Sequence, residues 1–272
     1  MASVTVETWE EFLEAVQVAG DTVLCPSQAV WDMNEIAPEG VTSLPRIWCS
    51  SIQGNGTTIK NLNTSDYFEV FHSSEIFYAD SLHFENFIAE GGALFLCSKS
   101  TRGKNAVFSN CKFSGLCGTG TRGVLRPGTG TQGNDYGGAD ALRCSFLVDA
   151  QTSSGFWACS ESAKYCRFQI AVPNGVFTMP KTLEWCYVRA DTPLQQGICP
   201  AGSLACVFDG EMQNVTQAQE PSHTFISVFN KTSIPNLTES EYLKGVTDAQ
   251  LRNADYLYSI GFPIGVDPED VD

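Results

Sequence analysis

The apolar positions of this chain recur in short runs with a period of two, the mark of strands rather than helices. Five runs share one form: Asn110-Cys111-Lys112-Phe113, Arg143-Cys144-Ser145-Phe146, Tyr165-Cys166-Arg167-Phe168, Trp185-Cys186-Tyr187-Val188 and Ala205-Cys206-Val207-Phe208. In each, the cysteine and the apolar residue two places on share a side, because strand side chains alternate. Cys166, Cys186 and Cys206 are spaced by 20 residues, Cys144 precedes Cys166 by 22, and Cys111 precedes Cys144 by 33. A second run stands before each of the last three: Gly155-Phe156-Trp157-Ala158-Cys159, Gly175-Val176-Phe177-Thr178-Met179 and Gly197-Ile198-Cys199-Pro200. One repeat therefore reads as a glycine-started strand, a short turn and the cysteine strand.

A repeat of about 20 residues cannot bury its apolar face alone and must stack on its neighbours. The Leu-x-x-Leu-x-Leu frame of leucine-rich repeats is absent. The pattern predicts an all-β chain, a right-handed parallel β-helix forming a single domain over 1–272. Less regular rungs fall at 52–62, 69–77, 81–87 and 93–97. Residues 1–20 read as an N-terminal strand and capping helix, since Thr8-Trp9-Glu10-Glu11 is a capping box and Trp9, Phe12, Leu13 and Val16 make one helical face. Residues 21–236 hold the rungs. The long spacing before Cys144 predicts an insertion at 115–138, a glycine-rich segment expected to protrude from one rung as a loop. Residues 237–272 read as a C-terminal helical cap and acidic tail. Thr238-Glu239-Ser240-Glu241 and Thr247-Asp248-Ala249-Gln250 are two further capping boxes, the second opening a helix to about Ile260, before Gly261 and Pro263.

The 272 residues include 24 Gly and 17 Phe but only 17% charged residues, which suits tight turns and a packed interior rather than disorder. The net charge of −15 argues against nucleic-acid and anionic-membrane partners. No apolar run approaches the roughly 18 residues of a membrane span, and no basic-then-apolar leader opens the chain. Eleven cysteines without an export signal predict a reducing compartment and free thiols. Rungs about 4.8 Å apart also hold neighbouring Cβ atoms wider than a disulfide prefers. There is no Cys-x-x-Cys pair, and neither a metal site nor a cofactor is expected.

Chemistry is harder to place. The repeated cysteines read as an inward stack of small apolar side chains. His72, His83 and His223 fall in no arrangement with a nucleophile. The acids include Asp80, Glu85, Asp135, Asp140, Glu161, Glu184, Asp191, Asp209 and Glu211, yet spacing selects no pair for glycosidic chemistry. No catalytic residue is assigned.

The runs Trp9-Glu10-Glu11-Phe12, Val30 to Gly40, and Ile52-Gln53-Gly54-Asn55-Gly56-Thr57-Thr58-Ile59 resemble short pectin-lyase-like β-helix proteins encoded by phages and prophages of gut bacteria. Val246 to Leu251 and Ser259 to Pro263 are similar too. The resemblance implies a non-catalytic virion structural protein: a capsid decoration, head fibre or tail-associated spike, assembled in the bacterial host cytoplasm. Its implied partners are other virion proteins, copies of itself in a homotrimer, and a surface glycan. The alternative is a carbohydrate-active enzyme (polysaccharide lyase or glycoside hydrolase) or a glycan-binding module. Exposed aromatics beside a carboxylate pair would favour the carbohydrate alternative.

Overall fold

The computed structural model describes residues 2–71, 75–98, 105–118, 122–129, 135–151, 156–173, 176–194, 196–199, 202–212, 215–217 and 225–263. Its strands form three long sheets of nine, eleven and nine strands, and the chain visits each in turn. One full rung runs through Ala139–Leu142 in the first sheet, Ser145–Ala150 in the second and Phe156–Trp157 in the third. Each strand pairs in parallel with its counterparts in the rungs before and after. This is an all-β parallel β-helix.

The repeat contains three strands, one more than the sequence pattern predicts. The supposed short turn before each cysteine strand holds a further strand: Ser162–Lys164, Thr182–Glu184 or Gly202–Leu204. Each has three residues and a single inward side chain, Ala163, Leu183 or Ser203. One inward position has no period to read.

The corner after this short strand explains the cysteine motif. Asn110, Arg143, Tyr165, Trp185 and Ala205 all have φ between 51° and 56°. That left-handed conformation costs a non-glycine residue roughly 1–2 kcal/mol. It is held by a ladder of backbone bonds: the N–H of Arg143 donates to Lys164 O at 2.9 Å, that of Tyr165 to Glu184 O at 3.0 Å, and that of Trp185 to Leu204 O at 2.9 Å. The sharp turn throws the corner side chain outward and the next residue, the cysteine, inward.

The interior is a set of side-chain columns. Phe113, Phe146 and Phe168 stack ring on ring, with centroids 5.2 and 5.0 Å apart, a geometry that adds to the gain from area burial. The helix Trp9–Ala15 closes the N-terminal end. Thr8 and Glu11 form the expected capping box, and Trp9 and Phe12 reach Trp31 and Phe68 inside the rungs.

The C-terminal region departs from expectation. Thr238 to Glu241 starts no helix and instead leads into the strand Leu243–Val246. The later helix is two short ones, Asp248–Leu251 and Ala254–Ser259, because the Asn253 side chain caps a fresh start. Gly261, at φ 92°, ends the second. The apolar residues that join the interior beyond the strand Ser227–Asn230 are Ile234, Leu237 and Leu243. The two helices lie outside, where Leu251, Leu257 and Phe262 form a second cluster with Tyr187, Val207, Val228 and Val246.

The segment 115–138 is mostly ordinary rung. Lys112–Cys117 belongs to the second sheet, and Arg122–Thr129 to the third, between Ala93–Ser98 and Phe156–Trp157. Cys117, Val124 and Leu125 are fully buried. The surplus length is a hairpin in which Gly128 and Thr129 pair antiparallel with Tyr136 and Asp135. Its residues 130–134 lie outside the described residues.

Candidate functional site

The repeated cysteines are the first candidates, and the structure places them in the wall of the core. Cys111, Cys144, Cys166, Cys186 and Cys206 are free and buried. Each Sγ meets two carbonyls, its own residue's second predecessor and one in the rung before. For Cys186 these are Glu184 O at 3.3 Å and Ala163 O at 3.5 Å; for Cys206, Leu204 O at 3.3 Å and Leu183 O at 3.4 Å. Burial disfavours the thiolate at Cys111, Cys144, Cys159 and Cys186 and pushes each well above the usual thiol range. At Cys166 burial acts the same way, but hydrogen bonds from its Cys144 and Cys186 neighbours work against it. The raised thiols suit packing rather than nucleophilic attack, and Cys166 and Cys206 are buried out of reach of solvent.

His83 points outward from the second sheet, and its Nδ1 accepts the Lys112 N–H at 3.2 Å. Burial and the Lys112 charge hold its pKa below the usual imidazole value. His72 and His223 lie outside the described residues.

Most of the acids are committed locally. Asp80 accepts from Asn110 and Ser81, and Asp140 from the N–H of Ser162. Glu161 pairs with Lys181 at 2.7 Å, and Glu184 with Lys164 at 2.9 Å. Glu85 and Glu211 lie exposed on second-sheet strands, and Asp135 sits in the hairpin strand. Stacking does bring Asp191 and Asp209 to one place. Arg189 lies between them, its Nε 2.7 Å from Asp191 and its Nη1 4.0 Å from Asp209.

Asp209 is the most elaborately held carboxylate. Burial opposes its ionisation, yet the Gly210 N–H and the side chains of Asn230, Tyr187 and Ser233 donate to it and keep its pKa below the usual value. The Asn230 amide bonds at 2.8 Å and Tyr187 Oη at 3.1 Å. Asn230 also donates to Asp248, tying the network to the first C-terminal helix. A carboxylate held ionised in this way is poorly suited to act as a general acid at neutral pH.

Next to this network lies a face of different character. Reading outward positions down the rungs, the corner column runs Arg143, Tyr165, Trp185. The next outward column of the second sheet runs Lys112, Ser145, Arg167, Tyr187. Arg143 lies over the Tyr165 ring at 5.9 Å, and Arg167 over the Tyr187 ring at 5.9 Å. Tyr165 stacks on Trp185 at 6.2 Å, and Trp185 meets Phe225 at 5.7 Å. Tyr165 and Phe225 remain 40% and 38% exposed. Tyr187, Val207 and Val228 of the second column lie under the C-terminal helices, whereas Ser145 and Arg167 lie outside that cluster. The sequence pattern did not single out this face, because its members sit in separate repeats.

Among the described residues no three metal-ligating side chains converge, and no helix is long and apolar enough to cross a membrane. No family model, curated protein or solved structure matches the chain.

Proposed function

We propose that this β-helix is a structural and docking component of a phage or prophage virion, a capsid decoration, head fibre or tail-associated spike. It assembles in the bacterial host cytoplasm and works by contact with other virion proteins and with copies of itself as a homotrimer. The observation that supports this reading most is the fixed outer surface of the second sheet. Gln169, Arg189 and Asp191 bond to one another at the surface, beside a largely buried network of Tyr187, Asp209 and Asn230 that runs on to Asp248 of the flanking helix. A surface preset in this way loses little side-chain freedom on association. Mass spectrometry of purified particles tests the location, and sedimentation of the isolated protein tests the trimer. A monomer absent from particles would overturn the reading.

One observation favours a second reading, a glycan-binding module or carbohydrate-active enzyme. The exposed Tyr165 lies on the same side of the helix as the Asp191 and Asp209 carboxylates. The Arg189 bridge counts against using those acids as a catalytic pair. Release of reducing ends from bacterial polysaccharides would promote this reading.

A further inference from the structure

Lys112, Ser145 and Arg167 are direct partners in successive rungs, and Arg143 precedes Ser145 by two residues. Three cations thus adjoin one serine, two of them in the flanking rungs about 4.8 Å away along the stack and the third at the corner that leads into its strand. The chain carries a net charge of −15, yet among the described residues none of the three lies within 4.0 Å of a carboxylate. The Nε of Arg167 is buried without a hydrogen-bond partner, and its Nη2 reaches only Gln169 Oε1 at 3.5 Å. Buried donors of this kind are normally satisfied.

The aromatic rings organise these cations. Arg143 and Arg167 each lie against a tyrosine one rung below. Arginine packs on aromatic rings and can also grip a carboxylate through two N–H bonds. Tyr, Trp and Arg are also the side chains that concentrate binding energy at protein interfaces.

We infer that the Lys112–Arg143–Arg167 triangle, with Ser145 adjoining its members and Tyr165 and Trp185 along its edge, is a docking site for an acidic segment of a partner protein. The inference rests on the docking role proposed above and names its surface and partner class. Charge complementarity selects the occupant, since cations without counter-charges on an acidic chain favour an acidic partner over a basic one.

Fluorescence anisotropy with a dye-labelled peptide of alternating Glu and Ser tests it on the full chain. Binding is expected to weaken as salt rises and to fall about tenfold in Arg143→Ala/Arg167→Ala. Arg167→Lys, which keeps the charge and loses the fork, is expected to weaken binding measurably. Lys181→Ala, whose lysine is paired with Glu161 elsewhere, is expected to leave it unchanged. Arg143→Ala alone removes an exposed side chain and serves where the double variant fails to fold. No peptide binding by the wild type, or equal binding by wild type and variants, overturns the site. So does arginine-dependent binding of polygalacturonate without peptide binding, which would make the face a glycan site. The two claims fail separately. A chain present in particles that binds no acidic peptide loses the site and keeps the virion role. A chain absent from particles with arginine-dependent peptide binding does the reverse.

Discussion

The backbone N–H of Cys206 donates to the hydroxyl of Ser227 at 3.1 Å, and three rung pairs earlier the N–H of Cys144 donates to the thiol of Cys166 at 3.4 Å. Ser227 therefore stands where the next cysteine of the column would stand. Thr57 occupies the same column two rungs before Cys111, with Leu82 between them, since His83 N–H bonds to Thr57 O as Val207 N–H bonds to Cys186 O. The position accepts sulfur or oxygen, and at Leu82 a larger apolar side chain.

This makes the column testable by substitution. Cys186→Ser is expected to cost no more than about 1–2 kcal/mol, because its hydroxyl inherits the Ala163 and Glu184 carbonyls. Cys186→Ala is expected to cost about 1–2 kcal/mol for the small cavity. Cys186→Asp is expected to be severely destabilising, by several kcal/mol, because it buries an unpaired charge. Urea melts of the three variants measure this. Equal and negligible losses would place the side chain in solvent.

Reactivity provides an independent check. Thiol titration of the native protein is expected to leave Cys111, Cys144, Cys166, Cys186 and Cys206 unmodified until denaturant is added, because all five are buried with at most 1% exposure. Rapid native labelling mapped to these residues would contradict the stack.

Excision distinguishes rung from hairpin. Removing residues 118–128 deletes most of a third-sheet strand along with buried Val124 and Leu125. Soluble, cooperatively melting protein is expected to be lost, as judged by circular dichroism and size-exclusion chromatography. Survival of a cooperative melt would show that the neighbouring rungs can close over the gap.

The carboxylate of Asp209 links the outer network to pH. Its folded pKa lies below the ordinary 3.8, so its stabilising contribution is complete above that value and disappears as pH falls through the folded pKa. Wild type is expected to lose stability steeply in that acid window, and Asp209→Asn less steeply, starting from a lower stability at neutral pH. Urea midpoints across the acid range test the sign. Parallel curves for the two proteins would mean that Asp209 keeps its ordinary pKa in the folded state.

The cysteine strands, the Phe column and the N-terminal plug were legible because each has a local signature: alternation, a fixed interval, or Thr8 with Glu11. The three-residue strands were not, since Ala163 or Leu183 alone makes no pattern. The box at Thr238 to Glu241 misled because residues 231–242 bring Ile234 and Leu237 into the interior, and that burial outweighs a capping preference. The continuous helix after Thr247 misled because Asn253 offers a cap of its own. The cationic triangle was hidden for another reason. The aligned runs already set Lys112 opposite Ser145, but nothing in the sequence showed which cations have a carboxylate within reach and which do not.

The left-handed corner has a consequence for how such a surface changes. Asn110, Arg143, Tyr165, Trp185 and Ala205 share one backbone conformation while differing in size, charge and aromaticity. At Asn110, Arg143, Tyr165 and Trp185 the turn is held by main-chain bonds to the next rung, so it does not depend on which side chain stands there. The column works as a pegboard on the outside of the rod, where a lineage can rewrite what the molecule recognises one peg at a time without disturbing the thiols directly behind it.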